Sequence, residues 1–311
     1  MNIWPRLHRF MWLLLGCPLL TATSIATAWA QAANTSPIVL SLPASTRALG
    51  LGNTFLPFGG DPDAVFYQPA ALSGLGGASA GLQVYGSSSV LATFSAGGAI
   101  AGGQAAVGVQ SLLYPSGAGG PPQLIGDLMA DGVSGGGEVV GSVGWSREIL
   151  GLRAGITGKL IEQRNGGARD ATGAVDVGVA AEAGPFILSG SAHNLGSAPN
   201  VSTRDVSLPR MFVLGAAFET QVVGPLDVTG GAQMALRRDR EVIPSGGVEI
   251  RWWPIQGRTF VGRVGARGTP EPGAQPFTFG AAFIADDLTV EYAFESMDGD
   301  GNAHRFGVRW R

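Results

Sequence analysis

LTVEYAFESMDGDGNAHRFGVRWR, residues 288–311, reads as two strands joined by a polar turn. Leu288, Val290, Tyr292 and Phe294 fall on one face of the first strand, and Thr289, Glu291 and Glu295 on the other. In the second, Phe306, Val308 and Trp310 oppose Arg305, Arg309 and Arg311. Successive strand side chains point to opposite faces, so both strands have one apolar and one charged face. A charge facing lipid at mid-bilayer costs about 2–4 kcal/mol. If the apolar face meets lipid, the charged face must line an interior.

The same two-residue period recurs upstream. Val175, Val177, Val179 and Ala181 oppose Asp176, Gly178, Ala180 and Glu182. Leu226, Val228, Ala232, Met234 and Leu236 oppose Asp227, Thr229, Gln233 and Arg237. From Ala78 onward the chain divides into about fourteen such segments: 78–86, 89–99, 103–113, 136–146, 149–162, 172–183, 185–195, 209–220, 225–237, 245–253, 257–267, 276–285, 287–296 and 303–311. Each is near the ~9–11 residues that cross a bilayer at a tilt, and an even count suits a bacterial single-chain barrel. The first and eighth alternate least clearly.

Connection lengths test the reading independently. Those after even segments are short: Ser146–Glu148, Gly184, Pro254–Gln256 and the junction at Asp286. Those after odd segments are longer and rich in Gly, Pro, Asn and Asp: Tyr114–Gly135, Gln163–Ala171, Gly196–Pro209, Gly268–Gln275 and Ser296–Asn302. Only the hairpin at Ser87-Ser88 breaks the rule. Short turns on one side and long loops on the other are a property of outer-membrane barrels. Trp145, Trp252, Trp253 and Trp310 end strands on the short-turn side, and Tyr85, Tyr114 and Phe294 lie near the other, as an aromatic girdle would.

Composition agrees. Of 311 residues, 50 are Gly, 45% are hydrophobic and only 14% charged, with no apolar run after the N-terminus long enough for a membrane helix. Residues 1–30 read as a secretory signal: Arg6 and Arg9, an apolar core from Met11 to Leu20, and Ala28-Trp29-Ala30 as the cleavage site. Its removal takes no acid, so the remaining chain is more acidic still, and no basic patch points to nucleic acid. The single cysteine, Cys17, lies within this leader; Leu14-Leu15-Gly16-Cys17 offers lipidation as an alternative to cleavage after Ala30. No disulfide follows for the remainder.

Between leader and strands, 31–77 is an N-terminal segment and hatch, followed by the barrel at 78–311. Its compact part is LPASTRALGLGNTFLPFGGDPDAVFYQPAALSGL, residues 42–75. Asp61-Pro62-Asp63 is a helix start, Ala64–Tyr67 supplies about one turn, and Pro69 biases Gln68 out of the helical region. So short a piece is not stable alone and needs a cavity to sit in. Arg47, Asp61 and Asp63 are expected to anchor it to the lumen charges Arg153, Lys159, Asp176, Glu182, Asp227, Glu249, Arg251, Arg263, Arg267, Glu291, Glu295, Arg305 and Arg309. The apolar residues Leu49, Leu51, Phe55, Leu56, Phe58, Phe66 and Tyr67 are either hatch core or contacts for a hydrophobic ligand.

The run RALGLG…DPDAVFYQPAAL resembles the hatch of barrels in the long-chain fatty-acid transporter (FadL) superfamily, with Gln68 where the family pattern has Asn. GAVDVGVAAEAGPFILSGSAHNLGSAP, LPRMFVLGAAF, GGVEIRW and the closing stretch resemble strand motifs of its PorV-like branch. The resemblance covers most of residues 42–311. It implies an all-β transmembrane antiparallel barrel of about 14 strands with an N-terminal plug, in the outer membrane of a Gram-negative-type bacterium. It implies membrane lipids and the assembly machinery as partners, with Trp310 penultimate where such chains commonly end on an aromatic.

Catalytic and metal signatures are weak. Ser191 and His193 share a lumen face with Ser189, ~7 Å apart at strand rise, but no acid is fixed beside them. Asp298, Asp300 and Asn302 are spaced like calcium ligands, yet the required downstream Glu is absent. The Gly-x-Gly runs lack the strand-then-helix context of a nucleotide site. No enzyme activity, metal or cofactor is expected. The expected function is partner binding in protein secretion or surface attachment, as the PorV-like motifs imply. The alternatives are transport of hydrophobic molecules such as long-chain fatty acids, and a structural or pore-forming barrel.

Overall fold

The computed structural model describes residues 37–74, 76–86, 89–114, 136–165, 167–199, 207–238, 241–268, 276–297 and 302–311. The leader, Cys17, Ser87-Ser88, the 115–135 connection and the calcium-like 298–301 stretch lie outside them.

Fourteen strands follow one another: β1 Gly77–Tyr85, β2 Ser89–Ile100, β3 Gly103–Tyr114, β4 Gly136–Ile149, β5 Leu152–Asn165, β6 Ala168–Ala183 and β7 Phe186–Gly196. The second half is β8 Met211–Val223, β9 Leu226–Arg237, β10 Val242–Ile255, β11 Arg258–Arg267, β12 Phe277–Ala285, β13 Leu288–Ser296 and β14 Asn302–Trp310. Each pairs antiparallel with its sequence neighbours, and β1 closes on β14 with Ala80 opposite Val308. Closure leaves no unpaired edge, which a sheet in lipid requires. Among the described residues no helix is long and apolar enough to cross a membrane.

The alternating faces fall as the pattern predicts. In β14, Ala303, Arg305, Gly307 and Arg309 are buried while His304, Phe306, Val308 and Trp310 are exposed. Large apolar side chains, among them Phe94, Val143, Leu160, Leu214, Met234 and Phe279, form the outer belt. The chain is therefore inverted relative to a soluble protein: its apolar wall faces outward and its charges face in.

Connections after even strands are two-residue turns. Ala101-Gly102 and Leu150-Gly151 both hold positive φ at both positions, the geometry that matches strand twist. Two expected turns move outward: β4 runs through Ser146–Glu148 to Ile149, and β10 runs through Pro254 to Ile255. The Gln163–Ala171 loop is corrected as well, since β5 and β6 continue to Asn165 and Ala168. Strand pairing needs no apolar side chains beyond the bilayer, and here Glu162 bridges Arg164 and Arg169 at 2.5 and 2.6 Å. Tyr85 and Tyr114 leave the girdle: their strand parity turns them inward, where both are buried. Trp145, Trp252, Trp253 and Trp310 remain outward.

Candidate functional site

The lumen is filled by the segment from Pro37 to Gly74, built from pieces too short to persist alone. Ile38–Ser41 makes one 3-10 turn. Thr46–Gly50 is a single helical turn whose N-cap, Ser45, accepts from the Ala48 amide at 3.4 Å. Gly52 and Asn53 then turn the chain with φ of 73° and 57°. Asp61 Oδ1 accepts from the Asp63 amide, opening the helix Ala64–Tyr67. Gln68 is extended before Pro69, and a second 3-10 turn spans Pro69–Leu72.

One side of this hatch is held by charges. Arg47 forms a two-pronged pair with Glu249 on β10, both contacts at 3.0 Å. Glu249 is also engaged by Arg251 and by Arg263, each at 2.7 Å. Arg263 reaches Glu291 at 3.0 Å, and Arg309 reaches Asp61 at 3.2 Å, Glu291 at 3.6 Å and Asp63 at 3.9 Å. Arg305, fully buried, donates to the Ala44 carbonyl at 2.6 Å and to Thr46 Oγ1 at 3.1 Å. Four guanidinium groups (Arg47, Arg251, Arg263, Arg309) thus meet four carboxylates (Asp61, Asp63, Glu249, Glu291). Removing one partner of a buried pair strands the other, which costs about 3–5 kcal/mol. The three anchoring residues read from the sequence, Arg47, Asp61 and Asp63, meet in this network. Glu182 is exposed at the rim instead, and Asp227 is only partly buried.

Asp63 also accepts from Ser95 Oγ on β2 at 2.6 Å. Burial first, then the neighbouring Asp61 charge, pushes its carboxyl up to about 6, while Arg309 and Ser95 pull the other way. Burial likewise pushes the Tyr67 hydroxyl up to about 12. Tyr67 stays neutral, accepts from the Ala44 amide at 2.8 Å and donates to Asn53 Oδ1 at 2.9 Å. Its ring stacks on Phe55 with centroids 5.1 Å apart.

The other side of the hatch meets glycine. A Cβ on Gly108 (β3) would lie 2.8 Å from Val65 and 2.5 Å from the Phe66 ring; one on Gly144 (β4) would lie 2.9 Å from Leu72. On Gly155 (β5) it would strike Pro69 and come within 2.8 Å of the Ala70 amide, and on Gly178 (β6) it would strike Gln68. Only an absent side chain lets the hatch approach so closely. Among the described residues no ion pair joins Ala64–Leu72 to β3–β6. The polar contacts near it are Gln68 to the Gly190 carbonyl at 3.2 Å, and Arg153 to Ser73 at 3.0 Å and Pro57 at 3.3 Å.

The candidate ligand contacts do not converge. Leu49 and Leu51 are fully buried on the clamped side, Leu51 against Gly247 and Gly265. Leu56 packs with Ala217, with Phe58 beside it, and Phe66 lies on β3, with Phe55 and Tyr67 packed against its cluster. A different apolar cluster was not singled out by the sequence. At the end away from the two-residue turns, Ile38, Val39, Leu40 and Leu42 pack among Tyr85, Leu91, Leu112, Tyr114, Val140 and Ile161. Glu138 accepts from the Val39 amide at 2.8 Å and from Gln163 at 2.8 Å. The run Pro37-Ile38-Val39-Leu40 carried an apolar signal, but its short length gives no period to read.

Beside the hatch, Ser191 Oγ lies 2.7 Å from His193 Nε2, and His193 Nδ1 lies 3.1 Å from Asp176 Oδ2. Asp176 is the acid the sequence did not place next to this pair. A β6–β7 bulge, with Asn194 at a φ of 56°, sets it there. The connectivity is that of a hydrolase triad. The same carboxylate oxygen is held by Lys159 at 2.7 Å, and Asp176 Oδ1 accepts from the Asn194 amide at 2.8 Å. Asp176 therefore serves an ammonium and a backbone amide together, and the cluster ties β5, β6 and β7 across the bulge. On the outer wall of the same strands, an open groove of about 720 Å³ runs over Gly141, Gly158 and Gly173, bordered by Val143, Leu160 and Leu195.

No protein-family model matches the chain, and no curated protein matches it. Solved structures do. The Pseudomonas putida toluene transporter TodX is 12% identical, with 85% of this chain and 96% of that one covered and a TM-score of 0.57. The Ralstonia pickettii toluene transporter TbuX is 11% identical, with 86% and 97% covered and a TM-score of 0.52. This chain shares with them the fold of a closed, fourteen-stranded antiparallel barrel. Both of these solved structures are of toluene transporters. The barrel fold that the resemblance implied is present, while the PorV-like branch has no counterpart among these neighbours.

Proposed function

We propose that this barrel passes small hydrophobic molecules across the outer membrane. The observation that carries the reading is the apolar cluster inside an otherwise charged lumen, where Leu91, Leu112, Val140 and Ile161 point inward against the general rule of the fold and pack with Ile38, Val39, Leu40 and Leu42. A water-filled pore has no use for such a lining. The fold shared with two toluene transporters supports it. The 1–30 leader would bring the chain through the inner membrane, the assembly machinery would insert it, and membrane lipids would contact the belt.

The test is uptake of toluene and naphthalene by cells of a host without its own hydrophobic-molecule channel, with and without this protein. Faster uptake with the protein is the expected result. No acceleration, together with steady ion conductance in planar bilayers, would replace this reading with a pore. Co-purification of secretion components or an exported protein at one-to-one stoichiometry, without uptake, would restore the partner-binding role.

A further inference from the structure

Resting on the transport reading, the geometry points to where the passenger moves. We propose that it slides between the hatch segment Ala64–Leu72 and the inner wall of β3–β6, while Ala44–Thr54 stays clamped to β10–β14. We propose further that Thr157 on β5 receives a passenger's hydroxyl or carbonyl group.

Three observations support this. First, the two sides of the hatch are held differently. Both walls approach the hatch through glycines, but on one side Arg47, Asp61 and Asp63 also join it to Glu249 and Arg309 by ion pairs. Val65, Phe66, Ala70 and Leu72 meet the other wall through close apolar contact, with neutral-partner hydrogen bonds from Gln68 to Gly190 and from Arg153 to Ser73. Parting the first side leaves buried charges unpaired. Parting the second exposes apolar surface that an apolar passenger re-covers as it enters. Second, the segment is held at both ends, by Asp61 and Asp63 before it and by β1, starting at Gly77, after it. It can bow from the wall without leaving the barrel. Third, Thr157 Oγ1 is completely buried on this wall with no hydrogen-bond partner, as is Ser142 Oγ on the next strand. A Cβ on Gly144 would lie 2.9 Å from both Thr157 Oγ1 and Leu72, so this hydroxyl sits at the hatch interface itself. A buried unpaired hydroxyl is costly to keep, and this one lies on the wall that Leu72 of the hatch covers. The passenger class is therefore a small uncharged apolar molecule with a single hydroxyl or carbonyl.

Outside the leader the chain has no cysteine, so disulfide locks can be placed cleanly. Val65→Cys with Gly108→Cys closes the β3 side, where a Cβ on Gly108 lies 2.8 Å from Val65 Cγ1. Thr46→Cys with Gly307→Cys closes the clamped side, where the Cβ–Cβ approach is 3.0 Å. Both are near enough to be bridged. Gln68→Cys with Gly178→Cys is a second lock on the first wall. Uptake of naphthalene and 1-naphthol is measured oxidised and after reductant, with heat-modifiable mobility on gels reporting a folded barrel. The expected result is loss of uptake to background in the 65–108 and 68–178 locks, restored by reductant, and full uptake in the 46–307 lock. Uptake that survives the first two locks, or is lost in the third, overturns the route. Thr157→Val should abolish any advantage of 1-naphthol over naphthalene; a retained advantage overturns the role of Thr157. Absence of uptake in the unsubstituted protein is failure of the transport reading, and is seen before any lock is formed.

Discussion

The β10–β14 wall and the β3–β6 wall both approach the hatch through glycines, but only the first also grips it with a network of buried ion pairs. The first offers Glu249, Arg263, Glu291, Arg305 and Arg309, each buried and each engaged with the hatch or with a neighbour that is. The second offers Gly108, Gly144, Gly155 and Gly178, which let Ala64–Leu72 approach closely, with Arg153 donating to Pro57 and Ser73 beside them. A charge network in low dielectric has steep energetics: intact it locks one arrangement, and broken it leaves bare charge. A glycine-floored contact is shallow, because its parts are individually weak dispersion contacts. The barrel thus combines a fixed side and a yielding side around one plug.

Five substitutions or titrations probe this difference, ordered by expected effect. Glu249→Ala should be the most damaging. It leaves Arg47, Arg251 and Arg263 without their shared carboxylate, and a loss of about 3–5 kcal/mol should show as trypsin cleavage of the hatch at Arg47 while the barrel stays resistant. Arg47→Ala should do less, since Glu249 keeps Arg251 and Arg263; unchanged protease protection would refute the anchor role of Arg47. Gly155→Ala tests the yielding wall: its Cβ meets backbone at Pro69 and Ala70, and overpacking of this kind costs about 1–3 kcal/mol in thermal unfolding. If it proved neutral, the hatch would already be free of that wall.

The fourth probe is pH. Docking raises the Asp63 carboxyl to about 6 from its ordinary 3.8, so the docked hatch holds a proton that the solvated one has released. Docking is then strongest below the ordinary value and weakens as pH rises through about 6, levelling off above it. Protease protection measured across this window should fall with rising pH, and Asp63→Asn should flatten that part of the profile. A fall in protection toward acid that is unchanged in Asp63→Asn would break the assignment. The smallest effect is expected from Ser191→Ala. It removes one hydrogen bond to His193, worth about 0.5–1.5 kcal/mol, and should leave uptake unchanged. A serine-directed fluorophosphonate should not label Ser191; labelling that vanishes in Ser191→Ala would give the Ser191–His193–Asp176 chain a chemical role.

Much of the fold was legible because its signal is local. Val175 to Ala181 and Phe306 to Trp310 show their faces within a few residues, and a two-residue period needs no knowledge of neighbouring strands. Strand ends were less legible where polar rims continue the pairing, as at Glu162, Arg164 and Arg169. Tyr85 and Tyr114 misled because an aromatic near a strand end has the same local signature whether it points in or out. Arg47, Asp61 and Asp63 could be singled out as charges in a segment with nowhere else to satisfy them.

The sequence by itself determined a closed barrel of alternating strands with an apolar outside, a charged inside and an N-terminal plug. Those properties follow from residue types repeated along the chain. Only the tertiary structure decided which charge meets which. Arg47 finds Glu249 at a separation of 202 residues, and Arg305 finds Ala44 at 261. It also decided that the glycines of β3–β6 form the imprint of Ala64–Leu72, and that a bulge brings Asp176 to His193. Such contacts depend on the register of each of fourteen strands at once. No local period encodes that sum, because each strand's stagger is set by its neighbours rather than by its own residues.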